Sequence, residues 1–584
     1  MESMTISTSS AIPPQGLRSL MRESLPVVGI ASIFMLLTLV PYIYGYLNSP
    51  PDAEFMFVHT LNSGDLPTYL AQIERARNGE ILIRNSYTPE KPNHGLFRPE
   101  FVLIGNVARL TGISNPAAYH LGRIVFGVAA AMGIYLLASL VFEAPSARRL
   151  AVLIAFTSSG VGWLYKARYP GPMNILSADV FQPEAIVFMS VYESPHMAIS
   201  YALMALLVFF LMRGLMLAGC AGSVGVASLR AAIISAVIGG ICGLFLLLSH
   251  PFDLIAGASV CAVCVGLAWI RLKFPSGRII PVAMIVALLC VPAPIYTWVS
   301  MRSDITLQKW AEQNVLPSQR PIGYVLCYGF LWIPAAYGCF RCAKRGSWMA
   351  LLLGAWVMIH WVAIYLPVNF QRRMTEGWHI PIALLATAGL LEINTELARR
   401  FRAWAANRNL RLTILVLVLI LLAGTNIYHV RRDLYFFATR DYRAYMPKGI
   451  CEAMEYVRDN TGIDEVIFTD EVLNNHLPAV SGNRVFGGHS IQGVVFEDTW
   501  QGLRALPDGR TPEGPRAEAE FLRAKGVTHW LVMKRAWKGP RQLLGLRPEA
   551  RPYLKKIFEN EWASVWKVIP LPAQSPHKAA DPIP

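Results

Sequence analysis

The sequence predicts an α-helical polytopic membrane protein of about eleven transmembrane helices, followed by a small C-terminal α/β soluble domain. Three observations support this fold class. Of the 584 residues, 54% are hydrophobic and only 16% are charged, whereas ordinary soluble domains carry about 25% charged residues. Long stretches without Asp, Glu, Lys or Arg recur along the first 430 positions. From about position 441 onward, strand-like and helix-like segments alternate instead.

The charge-free stretches give the number of spans, because a helix needs about 20 residues to cross a bilayer. Helices formed by the shorter stretches can include flanking residues and so reach this length. The stretches are 25–47, 124–142, 150–165, 197–212, 231–249, 254–270, 279–301, 321–340, 346–371, 377–391 and 413–428. Residues 21–430 are therefore predicted to form the membrane domain. The first stretch is too long for the core of a signal peptide, so it is expected to stay as an anchor.

The basic residues predict the orientation in the cell (inner) membrane. With residues 1–20 as a disordered cytoplasmic N-terminus, every predicted inner loop contains Lys or Arg, as the positive-inside rule requires. An odd number of spans then places the loop 48–116, the loops 166–195 and 302–320, and the C-terminal domain on the extracytoplasmic side. The net charge of +15 accordingly indicates contact with anionic membrane lipids, and no nucleic-acid partner is predicted.

The first outer loop, 48–116, is predicted to contain two surface helices that frame a cleft at the outer interface. The first helix begins near Asp65, and Pro67 in its first turn agrees with that boundary. It is amphipathic and is expected to lie on the membrane, with one apolar face (Leu66, Tyr69, Leu70, Ile73, Ala76) opposite Gln72, Glu74, Arg75 and Arg77. The second helix is predicted from about Pro99 to Leu110.

Several short motifs in and after this loop resemble a known family. They are Gly64-Asp65-Leu66-Pro67-Thr68-Tyr69-Leu70, Asn78-Gly79-Glu80, Asn85-Ser86-Tyr87-Thr88-Pro89-Glu90, Phe97-Arg98-Pro99, Glu193-Ser194-Pro195-His196, His250-Pro251-Phe252-Asp253, and Gln371-Arg372-Arg373 before Gly377-Trp378-His379-Ile380-Pro381. With the architecture of roughly residues 20–430, they resemble the GT-C-type integral-membrane glycosyltransferases, in particular bacterial members of the protein-mannosyltransferase and arabinosyltransferase-like superfamily. Many members have two adjacent acids at the start of the loop, whereas here Asp65 stands alone.

The resemblance implies transfer of a sugar from a polyprenyl-phosphate donor to a glycan, lipid or protein acceptor in the cell envelope. The enzyme would be a hexosyl- or pentosyltransferase, with inversion if attack is direct. Such a reaction needs a general base for the acceptor hydroxyl, and Asp65 is the predicted catalytic residue. Asp52, Glu54 and Glu193 are the alternatives, and Asp65 could also serve only as a cap of its helix.

Arg372 and Arg373 are predicted to bind the donor, because the topology places them on the outer side, against the charge bias of the other loops. A guanidinium group matches phosphate oxygens bidentately, although the pair could also snorkel to lipid headgroups. The other predicted substrate-binding residues flank the outer boundary or the first helix, and they are Tyr69, Glu193, His196, His250 and His379.

The sequence identifies no metal ligand set and no certain cofactor. The pairs Cys261 with Cys264 and Cys339 with Cys342 have CxxC spacing, but no second pair of ligands follows either one, which favours packing. A lipid monophosphate donor does not strictly require a metal, so a divalent cation stays an open alternative.

The C-terminal domain is predicted over 441–570, and residues 571–584 are predicted to be a disordered tail. Its predicted elements are a helix around Ile450, Met454 and Val457, strands at 465–469 and 528–533, a helix at 515–525 and a hairpin at 553–569. In Arg484-Val485-Phe486-Gly487-Gly488-His489, the two glycines favour a plain turn over a ligand site. The domain is expected to shape the acceptor side.

A transporter or flippase of a lipid-linked sugar is the competing function. Ion-coupled carriers keep ionisable residues deep within their spans, whereas the eleven stretches contain no Asp, Glu, Lys or Arg. The sequence also has no visible inverted repeat and no P-loop. These observations favour an enzyme.

Overall fold

The structure is a computed structural model that describes residues 16–168, 177–224, 226–496, 514–535, 537 and 548–570. The α-helices of these residues are α1 Leu17–Leu37, α2 Val40–Leu47, α3 Asp65–Arg77, α4 Pro99–Thr111, α5 Asn115–Ala138, α6 Pro145–Thr157, α7 Gly162–Arg168, α8 Val187–Glu193, α9 Pro195–Val224, α10 Val226–Ser249, α11 Leu254–Ile270, α12 Ser276–Cys290, α13 Pro292–Ser303, α14 Ile305–Gln313, α15 Pro321–Tyr328, α16 Trp332–Lys344, α17 Trp348–Ala363, α18 His379–Arg400, α19 Arg402–Ala406, α20 Arg408–Leu422, α21 Gly424–Ala438, α22 Lys448–Asn460, α23 Glu471–Ser481 and α24 Gly514–Ala524.

Nine short strands and several 3-10 turns complete the described secondary structure. The strands are β1 Ala53–Phe55, β2 Leu82–Ile83, β3 Leu96–Phe97, β4 Tyr445–Pro447, β5 Val466–Phe468, β6 Arg484–Val485, β7 Val527–Met533, β8 Leu554–Glu559 and β9 Ala563–Val568. The 3-10 turns are Ala178–Val180, Pro183–Ala185, Pro251–Asp253, Gly329–Leu331, Gln371–Thr375 and Pro548–Ala550.

Eight helical segments of the described chain are long and apolar enough to cross a membrane, which confirms a polytopic helical protein. The pair α20 and α21 adds a ninth if the two helices, bent by 57°, form one span. The other two predicted stretches form shorter helices, α6 with 13 residues and α17 with 16 residues. The count of eleven spans therefore stays a prediction.

The ends of the chain lie largely outside the described residues. Both predicted disordered ends belong here, since 1–15 and 571–584 are not described. The prediction for 1–20 is wrong in its last residues, because α1 already begins at Leu17. Residues 17–20 extend the first span by one turn, and Leu20 is buried in the core.

Helix α3 begins and ends close to its predicted limits, but its polar face does not lie on a membrane. Glu74 and Arg75 are buried, because α3 packs between α4 on one side and α23 on the other. The α4 contact is close: a Cβ on Gly105 would lie 2.5 Å from the Cβ of Ala76. The polar side chains therefore face another part of the protein instead of lipid headgroups.

Arg75 shows how this polar face is satisfied. Its guanidinium donates to the Glu80 carboxylate at 2.5 Å, to Asp464 Oδ1 at 2.9 Å and to the Gly482 carbonyl at 2.7 Å. A buried charge is stable only when it is paired and hydrogen-bonded, and two of these partners come from the C-terminal region. Arg75 therefore fixes that region on the first long loop.

The C-terminal region forms a five-stranded sheet in the order β6-β5-β7-β9-β8. Strand β5 pairs in parallel with β6 and β7, whereas β9 pairs antiparallel with β7 and β8. Every helix and strand predicted for this region occurs, and the predicted limits differ from the observed ones by at most one residue. Helix α23 and strand β6 were not predicted, because their mixed sequence has no clear period.

This region does not stand apart from the membrane helices. Strand β4 pairs antiparallel with β1 in the first loop, with Ala53 opposite Pro447 and Phe55 opposite Tyr445. Together with the α3–α23 contact, the pairing requires that the first loop and the C-terminal sheet lie on the same side of the membrane.

Thiol labelling tests which side that is. We expect Asp459→Cys, on the exposed end of α22, to react in intact cells with an impermeant maleimide. The exposed Arg400→Cys at the end of α18 should react only after the cells are permeabilised. Both variants are made in a Cys451→Ser background. The opposite labelling pattern would reverse the predicted orientation.

Candidate functional site

Asp65 is the first residue of α3, and its side chain contacts the C-terminal region. Gly64 occupies the N-cap position, and no side chain caps the helix. The Asp65 carboxylate instead accepts a hydrogen bond of 2.8 Å from Nε2 of His489. The Asp65 side chain is 34% exposed, whereas His489 is 8% exposed. The alternative role as a helix cap is therefore not observed, and the carboxylate is accessible at the rim of a cleft.

The tautomer of His489 follows from its other contacts. Its Nδ1 accepts from two backbone N–H groups, those of Ile491 at 3.2 Å and Gln492 at 3.0 Å. A nitrogen that accepts two hydrogen bonds carries no proton, so the proton of a neutral imidazole is on Nε2 and points at Asp65. The His489 ring therefore holds one carboxylate oxygen, and the other oxygen stays available.

The glycines before His489 explain its position. Gly487 and Gly488 have φ angles of 76° and 98°, which side-chain-bearing residues rarely adopt. A Cβ on Gly488 would lie 2.5 Å from the backbone carbon of Asn474 in α23. The segment is a turn, as predicted, but this turn also brings His489 to Asp65, which the sequence did not indicate.

Glu193, the last residue of α8, lies near Asp65 in a different environment. It is 4% exposed, and Oε2 accepts from the Asn62 side chain at 3.4 Å. Burial raises the pKa of Glu193 well above its usual range. The cation of Arg432 opposes this effect, and the carboxylates of Asp433 and Asp65 add to it. The raised pKa favours the protonated form of Glu193.

Asp433 of α21 anchors the start of the first loop to the membrane helices. Its carboxylate accepts from the Thr60 backbone N–H at 3.1 Å and from the Tyr192 hydroxyl at 2.7 Å, and Arg432 Nε lies 3.7 Å away. Thr60 is five residues before Asp65. The anchor therefore fixes the segment that leads into α3.

The arginine pair lies in the 3-10 turn Gln371–Thr375. The Gln182 side chain donates to the Arg372 carbonyl at 2.7 Å and to the Thr375 hydroxyl at 2.6 Å, which fixes the turn. Arg373 lies 3.7 Å from the Glu184 carboxylate and 4.9 Å from the ring of Phe252. Nε of both arginines is buried without a hydrogen-bond partner. Both groups therefore retain donor capacity.

Tyr69 and His196 connect the two sides of the cleft. Their rings are 4.9 Å apart, and Tyr69 also stacks on Phe101 at 5.7 Å. His196 Nδ1 is 2.5 Å from the Ser194 hydroxyl. Arg373 is close enough to interact electrostatically with both rings, and Asp65 with Tyr69. The structure thus brings Asp65, Tyr69, Glu193, His196 and Arg373 into one cleft.

His250 lies in a second group of polar residues that adjoins Arg373. Its Nδ1 is 3.1 Å from the Asp253 carboxylate, and its Nε2 is 3.1 Å from the Glu376 carboxylate. One side-chain atom of each residue lies within 4.8 Å of the others, a spacing that would allow a metal ion. From the sequence, His250 was predicted to bind substrate, and no metal ligand set was predicted.

His379 does not join the cleft. It is fully buried, its Nε2 is 3.0 Å from the Ser158 hydroxyl, and its Nδ1 accepts from the Val187 N–H at 3.1 Å. Both ring nitrogens are engaged by the protein. This placement gives His379 a role in packing helices, which differs from the predicted substrate contact.

The alternative bases Asp52 and Glu54 face away from this group of residues. Both are exposed, and Glu54 lies on β1 beside Cys451 of α22. Glu193 is the alternative base that does lie near Asp65, but it is buried. Among the predicted bases, only Asp65 combines access to solvent with a position beside the cleft.

A groove extends along α3 from the turn after Asp65. Its lining combines aromatic and amide side chains with two arginines, and the residues are Thr68, Ala71, Gln72, Ile83, Arg84, Asn85, Ser86, Tyr87, Leu96, Arg98, Leu307, Trp310 and Gln492. Aromatic rings and amides are typical of surfaces that bind sugars or other polar chains. The C-terminal region contributes Gln492 to this groove.

Five charged residues of the site were not singled out from the sequence: Glu184, Glu376, Arg432, Asp433 and His489 as a partner of Asp65. Arg432 and Asp433 follow the last apolar stretch, and Glu376 lies between two quoted motifs. A search for charges next to the spans would have found these three. The contact of His489 depends on residues 424 positions apart, and no local signal reveals it.

Comparisons with known proteins give similarity in structure only. No protein-family model matches the chain, and no curated protein sequence is significantly similar to it. Among solved structures, the chain is similar to the oligosaccharyltransferase AglB from Archaeoglobus fulgidus in complex with an inhibitory peptide and a dolichol-phosphate, with 14% identity, a TM-score of 0.49, and 87% of this chain and 69% of that chain covered.

Two further solved structures are similar to the same degree. ArnT from Cupriavidus metallidurans, bound to undecaprenyl phosphate, has 10% identity and a TM-score of 0.49, with 91% of this chain and 97% of that chain covered. The mycobacterial arabinofuranosyltransferase AftD has 12% identity and a TM-score of 0.47, with 97% and 41% covered. These matches agree with the resemblance that the loop motifs indicated. At this level of similarity, the residues of this chain must carry the functional argument.

The different environments of the two carboxyl groups predict different effects of amide substitution. Because the protonated form of Glu193 is favoured, Glu193→Gln should lower the rate of sugar transfer by less than about tenfold, well below the loss of a general base. As the pH rises from the ordinary range of a glutamic acid toward the raised pKa of folded Glu193, the parent should lose stability that the Gln variant keeps, so their melting temperatures should diverge over that range and stay apart above it. Equal pH profiles, or a loss of activity as large as that of Asp65→Asn, would contradict a protonated Glu193.

Proposed function

We propose that this protein is a membrane glycosyltransferase that transfers a sugar from a polyprenyl-phosphate donor to an acceptor on the extracytoplasmic face of the membrane. The observation that carries this proposal is the position of Asp65, an accessible carboxylate oriented by His489, near Tyr69, which also lies near the guanidinium of Arg373. A base for the acceptor and a cation for a phosphate are the two groups that this reaction requires.

The acceptor hydroxyl attacks the anomeric carbon of the donor sugar while Asp65 removes its proton. The bond from the anomeric carbon to the phosphate oxygen breaks, and the phosphate leaves with the bonding electron pair. Direct attack inverts the configuration at this carbon. The Nε2–H of His489 binds one oxygen of Asp65, which orients the carboxylate and leaves the second oxygen for the acceptor proton.

Arg373 supports the proposed donor side. Its guanidinium lies at the cleft, stacked on Phe252 and 3.7 Å from Glu184, and its Nε has no hydrogen-bond partner. A departing phosphate gains negative charge, and a guanidinium group can stabilise that charge with two parallel hydrogen bonds. Arg372 is the next residue of the same turn and supplies a second cation.

The groove along α3 supports an acceptor with sugar-like or amide-bearing groups. It starts one turn after Asp65, because Thr68 lines it and also donates to the Asp65 carbonyl at 2.7 Å. Trp310 offers a ring for stacking, while Gln72, Asn85 and Gln492 offer amides for hydrogen bonds. An acceptor in this groove would present its hydroxyl group to Asp65.

Asp65→Asn tests the proposed base. Asn keeps an oxygen that can accept from His489, so the variant should fold and bind donor lipid like the parent. It cannot accept a proton, and the rate of transfer should fall about 100-fold to 10,000-fold. The measurement is the formation of glycosylated product from a polyprenyl-phosphate sugar in liposomes. Asp52→Asn, an exposed carboxylate of the same loop, is the matched control and should be fully active.

Full activity of Asp65→Asn would exclude Asp65 as the base. A flippase would also give a distinct result, because lipid movement forms no covalent product and needs no proton acceptor at this position. Glu at position 65 moves the carboxylate by about one methylene group and should give intermediate activity.

Substitutions of the arginine pair test the donor side. Arg373→Lys keeps the charge but loses the planar fork, so donor binding should weaken partially. Arg373→Ala loses a charged hydrogen bond and should raise the apparent KM for the donor by about 10-fold to 100-fold, and Arg372→Ala should act in the same direction. Arg302→Ala, an exposed arginine stacked on Trp298, is the control. If both alanine variants turn over donor like the parent, the pair only contacts headgroups.

A further inference from the structure

His250, Asp253 and Glu376 form a buried group between two turns of the chain. His250 follows α10, Asp253 ends the turn Pro251–Asp253, and Glu376 follows the turn Gln371–Thr375. The three residues are 2%, 0% and 0% exposed. Each ring nitrogen of His250 has a carboxylate oxygen at 3.1 Å.

These contacts do not have the geometry of hydrogen bonds. Nδ1 and Nε2 of His250 and all four carboxylate oxygens of Asp253 and Glu376 are buried without a hydrogen-bond partner. The Ser200 hydroxyl lies near Glu376, but it donates to the His196 carbonyl at 2.9 Å. Buried polar atoms are almost always satisfied, so six such atoms in one place indicate that a ligand completes the group.

A charged His250 does not account for the arrangement. An imidazolium ion between two carboxylates would point its N–H groups at the oxygens. Here neither ring nitrogen makes a hydrogen bond to the carboxylate oxygen near it. A cation at the centre of the group gives the opposite geometry. Each ligand atom points at the ion, and the ligand atoms are neighbours of one another about 3 to 3.5 Å apart, because ligand distances are about 2.0 to 2.2 Å.

We propose that His250, Asp253 and Glu376 bind one divalent transition-metal ion. One atom of each side chain already lies within 4.8 Å of the others, and the ion would bind one ring nitrogen of His250. One imidazole and two carboxylates suit Zn²⁺ or Mn²⁺. Three protein ligands leave at least one coordination position for water or a substrate oxygen.

The ion would connect the two segments that position Arg373. The turn Pro251–Asp253 carries Phe252, whose ring lies 4.9 Å from the Arg373 guanidinium, and the segment from Gln371 to Glu376 carries Arg373 itself. Ligands from both segments therefore hold the arginine against the cleft. The relevance of this contact to donor binding rests on the proposed function, whereas the binding of metal does not.

Metal content tests the proposal directly. The detergent-solubilised protein is incubated with ZnCl₂ or MnCl₂, passed over a chelating resin and analysed by mass spectrometry of its metals. The parent should retain about one ion per chain. His250→Gln, Asp253→Asn and Glu376→Gln should each reduce retention at least about tenfold. Glu518→Gln is the control, because Glu518 is a buried carboxylate of the C-terminal region that pairs with Arg551 at 2.9 Å.

Thermal unfolding provides a second measurement that does not depend on retention. Addition of the retained metal should raise the Tm of the resin-treated parent and of Glu518→Gln, but it should leave the Tm of the three ligand variants unchanged. A parent that retains neither metal and shows no shift in Tm overturns the proposal, and so do ligand variants that retain metal like the parent. Neither measurement uses a sugar donor, so the result is independent of the test of Asp65.

Discussion

The position of α3 between the membrane helices and the C-terminal sheet is the constraint on which the site depends. Helix α3 alone would be a short amphipathic helix that could lie on the bilayer. Arg75 prevents this, because its guanidinium is buried and takes partners from Glu80, Asp464 and Gly482. A buried guanidinium is stable only when its donors are paired, so this contact fixes the helix. With α3 fixed in this way, Asp65 at its first residue meets His489 at the edge of the cleft.

The same arrangement gives two neighbouring carboxyl groups different chemistry. Asp65 is a third exposed and lies at the N-terminus of a helix, where a negative charge is stabilised by the helix dipole. Glu193 is buried beside Asp433 and Asp65, and this environment raises its pKa. A raised pKa favours the uncharged carboxyl group, which reduces the negative charge beside Asp65.

Local sequence patterns predicted the helices and most strands, because hydrophobic period and turn residues are local properties. The span between 115 and 138 and the surface helix after Pro99 are examples. Whether a polar face contacts the membrane or another part of the protein is not a local property. Gln72, Glu74, Arg75 and Arg77 read as a membrane-facing pattern, and only the tertiary contact with α23 shows that Glu74 and Arg75 are buried.

The site residues divide in the same way. Asp65 and the arginine pair were found because their type and place in the predicted topology were unusual. His489 and Glu376 were not found, since each acts through a partner that is distant in sequence. Gly487 and Gly488 predict a turn, but they do not show whether the next residue, His489, contacts Asp65.

The charges of the cleft explain why an anionic donor needs more than one compensating cation. Six carboxyl groups of the described chain interact within this region: Asp65, Glu184, Glu193, Asp253, Glu376 and Asp433. Arg373 and Arg432 are the cations that face them most directly. A lipid phosphate would add further negative charge to a region of low dielectric constant, where repulsion between like charges is strong. A proton on Glu193 and a divalent ion held by His250, Asp253 and Glu376 would each remove part of that repulsion, and Arg373 would then be free to bind the phosphate instead of balancing the acids around it.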